Sequence, residues 1–255
     1  MPSPTQARPP AFDPVPAPLP GPRTMRQTWA DITFVHWAVE PDLVAPLLPA
    51  GTRPDVLDGV TYVGLIPFRM HRAGFGAGPP VPWFGDFLET NVRLYSVDAA
   101  GRHGVVFASL EAERLAVVLG ARLATGTPYM WARMRLHRDG DLLRYETRRR
   151  WPGPRGAGGR MEVRLGPEIA TPTPVEQFVT ARFGLHTRVA GRSWWIPNHH
   201  EPWPLRRARL QRLDDTLVTA AGLGGLAGED PASVLHSRGV HTVFGTPRAL
   251  RGTGP

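Results

Sequence analysis

"GVVFASLEAERLAVVLGARLATGTPYMWARM", residues 104–134, changes its hydrophobic period twice in one short stretch. Its first residues continue an apolar strand. From Ser109 to Leu123 the spacing turns helical, with Leu115, Val118, Leu119 and Arg122 on one side at i, i+3, i+4 and i+7. Ser109 is placed to cap that helix, and Glu111 and Glu113 suit its positive end. Thr125-Gly126-Thr127-Pro128 then breaks it, and Tyr129 opens a new strand. A helix squeezed between two strands predicts a sheet protein with few helices.

The rest of the chain agrees. "FLETNVRLYSV" (87–97) and "HGVVFASL" (103–110) flank a "DAAGR" turn and read as a hairpin. Asp58-Gly59 inside "VLDGVTYVGLIPF" (56–68) and Asp139-Gly140 inside "MWARMRLHRDGDLLRYETRRR" (130–150) are further hairpin turns. "QTWADITFVHWAV" (27–39) opens the strands, and "SWWIPNHHEPWPLRRARLQRL" (193–213) and "VLHSRGVHTVFGTPRAL" (234–250) end them. "PDLVAPLLP" (41–49) is a short helix between prolines. "TPVEQFVTARFGLH" (173–186) is the clearest helix, with Thr173 as cap, Pro174 first, Glu176 closing a capping box and Gly184 at its end. "WPGPRGAGG" (151–159) and "GLGGLAG" (222–228) are loops. The expectation is a β-rich α+β fold of curved antiparallel sheets with two or three helices, possible as a cone or barrel, in one domain over 25–250. Residues 1–24 are Pro-rich without an apolar period and read as a disordered tail.

Composition bounds the function. There is no cysteine among the 255 residues, so no disulfide or thiolate metal site can form. No apolar run is long enough for a membrane helix, and the N-terminus lacks a secretory core, so a cytoplasmic protein is expected. The net charge of +8 comes from arginine alone, because the chain has no lysine. Substitution of Lys by Arg through coding bias accounts for that charge, and the arginines are scattered apart from 148–160 and 205–212, so no nucleic-acid partner is expected. Without lysine no Schiff base can form on a side chain of this protein.

Alternation in "FLETNVRLY" puts Glu89, Asn91, Arg93 and Tyr95 on one face. That face is either a polar lining or an ordinary solvated surface. His199 and His200 are adjacent on a strand and point apart, and the remaining histidines show no metal-ligand spacing, so no metal or other cofactor is expected.

Four blocks in order, "FLETNVRLY", residues 104–134, "NHHEPWPL" and "SRGVHTVFG", resemble the DUF2071 or YqjF-like family over roughly residues 25–250, and through it the acetoacetate decarboxylase-like superfamily. The resemblance implies curved sheets around an inner cavity that holds a small molecule. It also implies site positions. In the decarboxylases a Gly-Arg-Glu-x-x-Gly-x-Pro-Lys block carries the Schiff-base lysine. Here Arg122, Gly126 and Pro128 match, while Leu123 replaces the Glu and Tyr129 the Lys. Glu89 is the counterpart of a pocket carboxylate, with Arg93 or Arg122 as its natural partner, and His36 and His200 fall in family-like blocks as weaker proton carriers. Two functions fit: acid/base chemistry on an oxo-acid or carbonyl compound without a Schiff base, or non-catalytic binding of a small ligand. Nothing in the pattern fixes the oligomeric state, and a homo-oligomer fits it as well as a monomer.

Overall fold

The computed structural model describes residues 15–250. Thirteen strands form one hydrogen-bonded sheet. They are β1 (Met25–Val39), β2 (Thr52–Pro54), β3 (Thr61–Phe75), β4 (Phe87–Asp98), β5 (His103–Ala112), β6 (Tyr129–Asp139), β7 (Leu142–Trp151), β8 (Gly158–Glu168), β9 (Gly184–Val189), β10 (Arg192–His200), β11 (Leu205–Asp215), β12 (Ser233–Phe244) and β13 (Arg248–Ala249). Four helices accompany them: α1 (Pro41–Val44), α2 (Leu115–Thr125), α3 (Pro174–Thr180) and α4 (Leu217–Ala220). No helix among the described residues is long and apolar enough to cross a membrane.

The sheet is ring-like, because its pairings close twice. β12, β1, β3, β4 and β5 form a common wall. β9 and β10 join the ends of that wall on one side; β6, β7, β8 and β11 join them on the other. The wall therefore has two buried faces. Phe34, Ile66, Phe68 and Tyr95 fill the first, together with Phe178 and Val179 of α3. Val35, Val63, Leu65, Val92 and Leu94 fill the second, with Leu217 and Val218 of α4. Strand alternation alone sends neighbouring residues into different interiors.

Local chemistry sets the corners. Asp98 Oδ1 accepts from the backbone N–H groups of Ala100 and Arg102, and so makes the turn between β4 and β5. Gly126 ends α2 in the left-handed region at φ 62°, its N–H bonding Arg122 O at 3.2 Å. A Cβ on Gly126 would lie 2.3 Å from Arg188 O of β9, so the corner admits no side chain. It delivers Tyr129 into β6, which pairs parallel to β5 across α2.

Several expectations need correction. Ser109 caps no helix: β5 runs on to Ala112 and the cap of α2 is Arg114. The two glutamates follow the strand, so Glu111 is buried and Glu113 accepts from Leu88 N at 2.8 Å. The supposed apolar side of α2 buries only Val118; Leu115, Leu119 and Arg122 are exposed. α3 stops at Thr180, and Gly184 instead starts β9, where its bare Cα lies beneath the Trp195 ring. The β6–β7 turn centres on Gly140 and Asp141, one residue later than expected. Asp58-Gly59 does turn, but the arm before it is a single bridge, Leu57↔Val60. Of the Pro-rich segment, residues 1–14 lie outside the described residues; 15–24 form no helix or strand, and Thr24 N bonds Phe244 O at 2.8 Å.

The capping box of α3 is present as expected: Thr173 Oγ1 accepts from Glu176 N, and the Glu176 carboxylate accepts from Thr173 N at 2.7 Å. Thr173→Ala should cost about 1 kcal/mol of folding stability, read as a lower urea midpoint with an unchanged slope.

Candidate functional site

The first interior collects the polar side of β4. Glu89, Asn91 and Tyr95 are all buried there. The Tyr129 hydroxyl crosses from β6 and donates to Glu89 Oε2 at 2.9 Å. The two residues meet because Glu89 pairs with Ala112 on β5 while Ala112 pairs with Trp131 on β6, two residues beyond Tyr129 on the same face. Burial, and then the charge of Glu111, push the Glu89 carboxyl up to about 8, although the bonds from Tyr129 and Asn91 favour its ionised form. Burial and the neighbouring Glu89 hold the Tyr129 phenol well above its ordinary value.

Neither arginine expected beside Glu89 is its partner. Arg93 lies four residues along the same strand, about 13 Å away at the strand rise. It donates instead through Nε to the Tyr95 hydroxyl at 2.9 Å and through Nη2 to Val179 O, at the end of α3, at 2.6 Å. Arg122 sits on the surface and donates to the Tyr129 carbonyl at 2.8 Å, touching the backbone of the site and not its hydroxyl. Among the described residues Glu89 therefore has a phenol and an amide for neighbours and no cation in ion-pair contact.

His36 belongs to a second cluster in this interior. Its Nε2 lies 2.5 Å from the Tyr95 hydroxyl. The imidazole reaches β4 by lying across Gly64, where a Cβ would stand 2.9 Å from Nε2. Burial, aided by Arg93 and Arg182, drives His36 well below its ordinary value, so it is neutral at pH 7. His200 is held apart from both clusters. Its Nδ1 donates to Glu201 O at 2.7 Å, inside a cage of Trp29, Phe183 and Trp203. Burial lowers its pKa as well.

Sequence reasoning missed the charges that frame these groups. Arg182 forms a buried ion pair with Asp55, and its guanidinium lies 4.9 Å from the Tyr95 ring centroid. His103 Nδ1 adds a contact to Asp55 at 2.8 Å. In the second interior Arg149 bonds Glu111 Oε1 through Nε and Nη2 at 3.0 and 2.5 Å. Burial nevertheless pushes Glu111 up against the pull of Arg149. Of these partners only Glu111 carried a sequence signal, as a charged residue in the otherwise apolar strand β5.

The first interior is also polar in a way its own residues do not satisfy. Trp29 Nε1, His36 Nδ1, Asn91 Oδ1, Asn198 Oδ1 and Thr242 Oγ1 are buried without a hydrogen-bond partner. Register places Asn198 opposite Phe244 and His200 opposite Thr242, on the face that carries the first core.

The fold of this ring-like sheet is similar to that of acetoacetate decarboxylase-like structures. It is similar to the enduracididine biosynthesis enzyme MppR complexed with pyruvate, at a TM-score of 0.60 and 15% identity, over 93% of this chain and 94% of that one. It is equally similar to acetoacetate decarboxylase from Legionella pneumophila, at a TM-score of 0.60 and 16% identity, over 94% and 93%. The chain belongs to the DUF2071 family, described as an uncharacterized conserved protein, whose pattern matches residues 26–241. It is 29% identical over 199 residues to the uncharacterized protein YqjF of Bacillus subtilis (strain 168), covering 78% of this chain and 82% of that protein.

The raised Glu89 has a consequence for stability. The folded protein keeps the proton up to about pH 8, whereas the unfolded chain loses it near 4.5. Stability is thus drained as pH rises from about 4.5 to about 8, by roughly 5 kcal/mol in total at 1.36 kcal/mol per unit. Glu89→Gln should match the parent near pH 4 and become progressively more stable than it up to pH 8, with the gap then level. Thermal melts across pH 4–9 read this; a gap that shrinks as pH rises would show Glu89 to be ionised in the fold.

Proposed function

We propose that this protein is an acid/base enzyme for a small oxo-acid or carbonyl compound, with Glu89 as the proton carrier and Tyr129 as its partner. The observation that carries the reading is the 2.9 Å bond from the hydroxyl of half-buried Tyr129 to the buried Glu89 carboxyl, held near 8. A group with that pKa is a strong base in its ionised fraction and is still accessible at neutral pH. The unsatisfied polar atoms of the same interior support a polar ligand. The bound molecule of MppR, pyruvate, suggests the substrate class.

The pair suggests a sequence of steps. Ionised Glu89 takes a proton from the carbon beside the substrate carbonyl, and the electrons of that C–H bond move into an enolate. As the proton reaches Glu89, Tyr129 loses its charged acceptor. Its hydroxyl is then free to turn and donate to the enolate oxygen, where negative charge has just developed. Return of the proton from Glu89 completes an exchange or an isomerisation, with no covalent bond to the protein at any point. The chain has no lysine to form one.

Exchange of α-protons for deuterium in pyruvate and longer 2-oxo acids, followed by NMR, tests this. The rate should rise with pH through an inflection near 8 and level off above it. Glu89→Gln should lower it by about 10²–10⁴-fold while the protein stays folded. Tyr129→Phe removes a bond that favours the carboxylate, so it should slow exchange and move the inflection above 8. Exchange that survives in Glu89→Gln would refute the reading. A 2-oxo acid that raises the melting temperature and is recovered without exchange would favour the non-catalytic binding protein.

A further inference from the structure

The arginine-dense stretch at 148–160 has no part in the chemistry of Glu89. The structure folds it into the end of β7, the loop beyond and the start of β8, against β6. There an open groove of about 400 Å3 is lined by Trp131, Arg133, Arg148, Arg149, Arg150 and Arg155, with no acid in its lining. A second groove of about 370 Å3 continues from it, sharing Arg133 and Arg148 and adding Arg135, Arg160 and Glu146.

Two features separate this groove from a generally basic surface. First, Arg133 stands directly opposite Arg148 in the β6–β7 ladder. Like charges in that position repel, and a strand pair normally avoids them. Second, the nearby acids are engaged elsewhere. Glu146 faces Arg135 at 4.0 Å, and Glu162 faces Arg144 and Arg160 at 3.8 and 2.7 Å. Arg149 is matched from behind by buried Glu111, and the Arg150 guanidinium lies 4.9 Å from the Trp131 ring centroid. Arg133, Arg148 and Arg155 form no ion pair among the described residues. Their charges converge on the groove and remain unbalanced there.

We propose that this groove binds a multiply charged phosphate or phosphate ester of small-molecule size. Guanidinium forks match phosphate oxygens in a bidentate manner, and a tetrahedral polyanion offers oxygens to Arg133, Arg148 and Arg155 from different directions. The groove volume falls within the range of small-ligand sites. A bound dianion would also turn the Arg133–Arg148 repulsion into a shared attraction.

Inorganic pyrophosphate and tripolyphosphate are the probes, titrated calorimetrically into the full chain, with citrate and a single-stranded oligonucleotide as comparisons. Pyrophosphate should bind at micromolar to sub-millimolar strength in 50 mM salt and weaken about fivefold or more at 200 mM, since these arginines are exposed and screened. Arg133→Gln and Arg148→Gln should each reduce the affinity at least about tenfold, at the level of one lost charge-assisted pair. In the absence of ligand both variants should be as stable as the parent or more so, because each removes one side of a repulsive pair. That combination separates loss of a site from loss of the fold. Absence of heat up to 10 mM pyrophosphate would overturn the proposal. So would citrate binding as tightly as pyrophosphate, which would deny phosphate selectivity, or an oligonucleotide binding far more tightly and displacing it, which would make the groove part of a nucleic-acid track.

Discussion

A strand buried on both faces must place every polar side chain it carries inside the protein, and β4 is such a strand. Of its residues only Arg93 retains partial exposure. Val92 and Leu94 satisfy one interior with apolar surface, while Glu89, Asn91, Arg93 and Tyr95 enter the other and must find partners there. Arg93 and Tyr95 find them in Val179 O and His36, so the end of α3 and the middle of β1 are positioned by what β4 requires. Glu89 finds a phenol. Because the wall strands are shared by both rings, this polar row cannot be moved to solvent without opening the sheet.

The energetic consequence is a division of labour along one strand. At the Tyr95 end charges are matched: Arg182 meets Asp55, and Arg93 meets a helix-end carbonyl. At the Glu89 end they are not, and the carboxyl answers by keeping its proton. An unmatched buried acid costs stability, and the cost is carried by the two apolar cores around it.

The parts of this arrangement that were legible in the sequence are those governed by near neighbours. Alternation in "FLETNVRLY" put the four polar residues on one face, and they do share one. The capping box at Thr173 and the Gly126 corner depend on a few consecutive residues and were read correctly. Ser109 was misread because Ser-x-Glu before an apolar run fits a strand end as well as a helix start. What chose the strand was pairing to β4, fixed by contacts outside the segment. Partner identity was the least legible. Asp55 and Arg182 are 127 residues apart, Glu111 and Arg149 are 38 apart, and no local rule joins them. The pairing of Glu89 with an arginine failed for geometric reasons: Arg93, at i+4 on the strand, shares the face but lies about 13 Å away, and Arg122 is exposed on α2 and bonds the Tyr129 carbonyl.

The identity of residue 129 decides which chemistry such a carboxyl can do. A lysine there would bring a positive charge to hydrogen-bond distance of Glu89. The pair would then ionise together, the carboxyl would fall toward its ordinary range or below it, and the amine would be the reactive group. Tyrosine brings a hydrogen bond of similar reach but no charge. Burial then outweighs the hydrogen bond, and at neutral pH the acid keeps its proton as the phenol keeps its own. The same strands and the same corner at Gly126 thus hold a buried carboxyl that keeps its proton beside a phenol that brings it no charge.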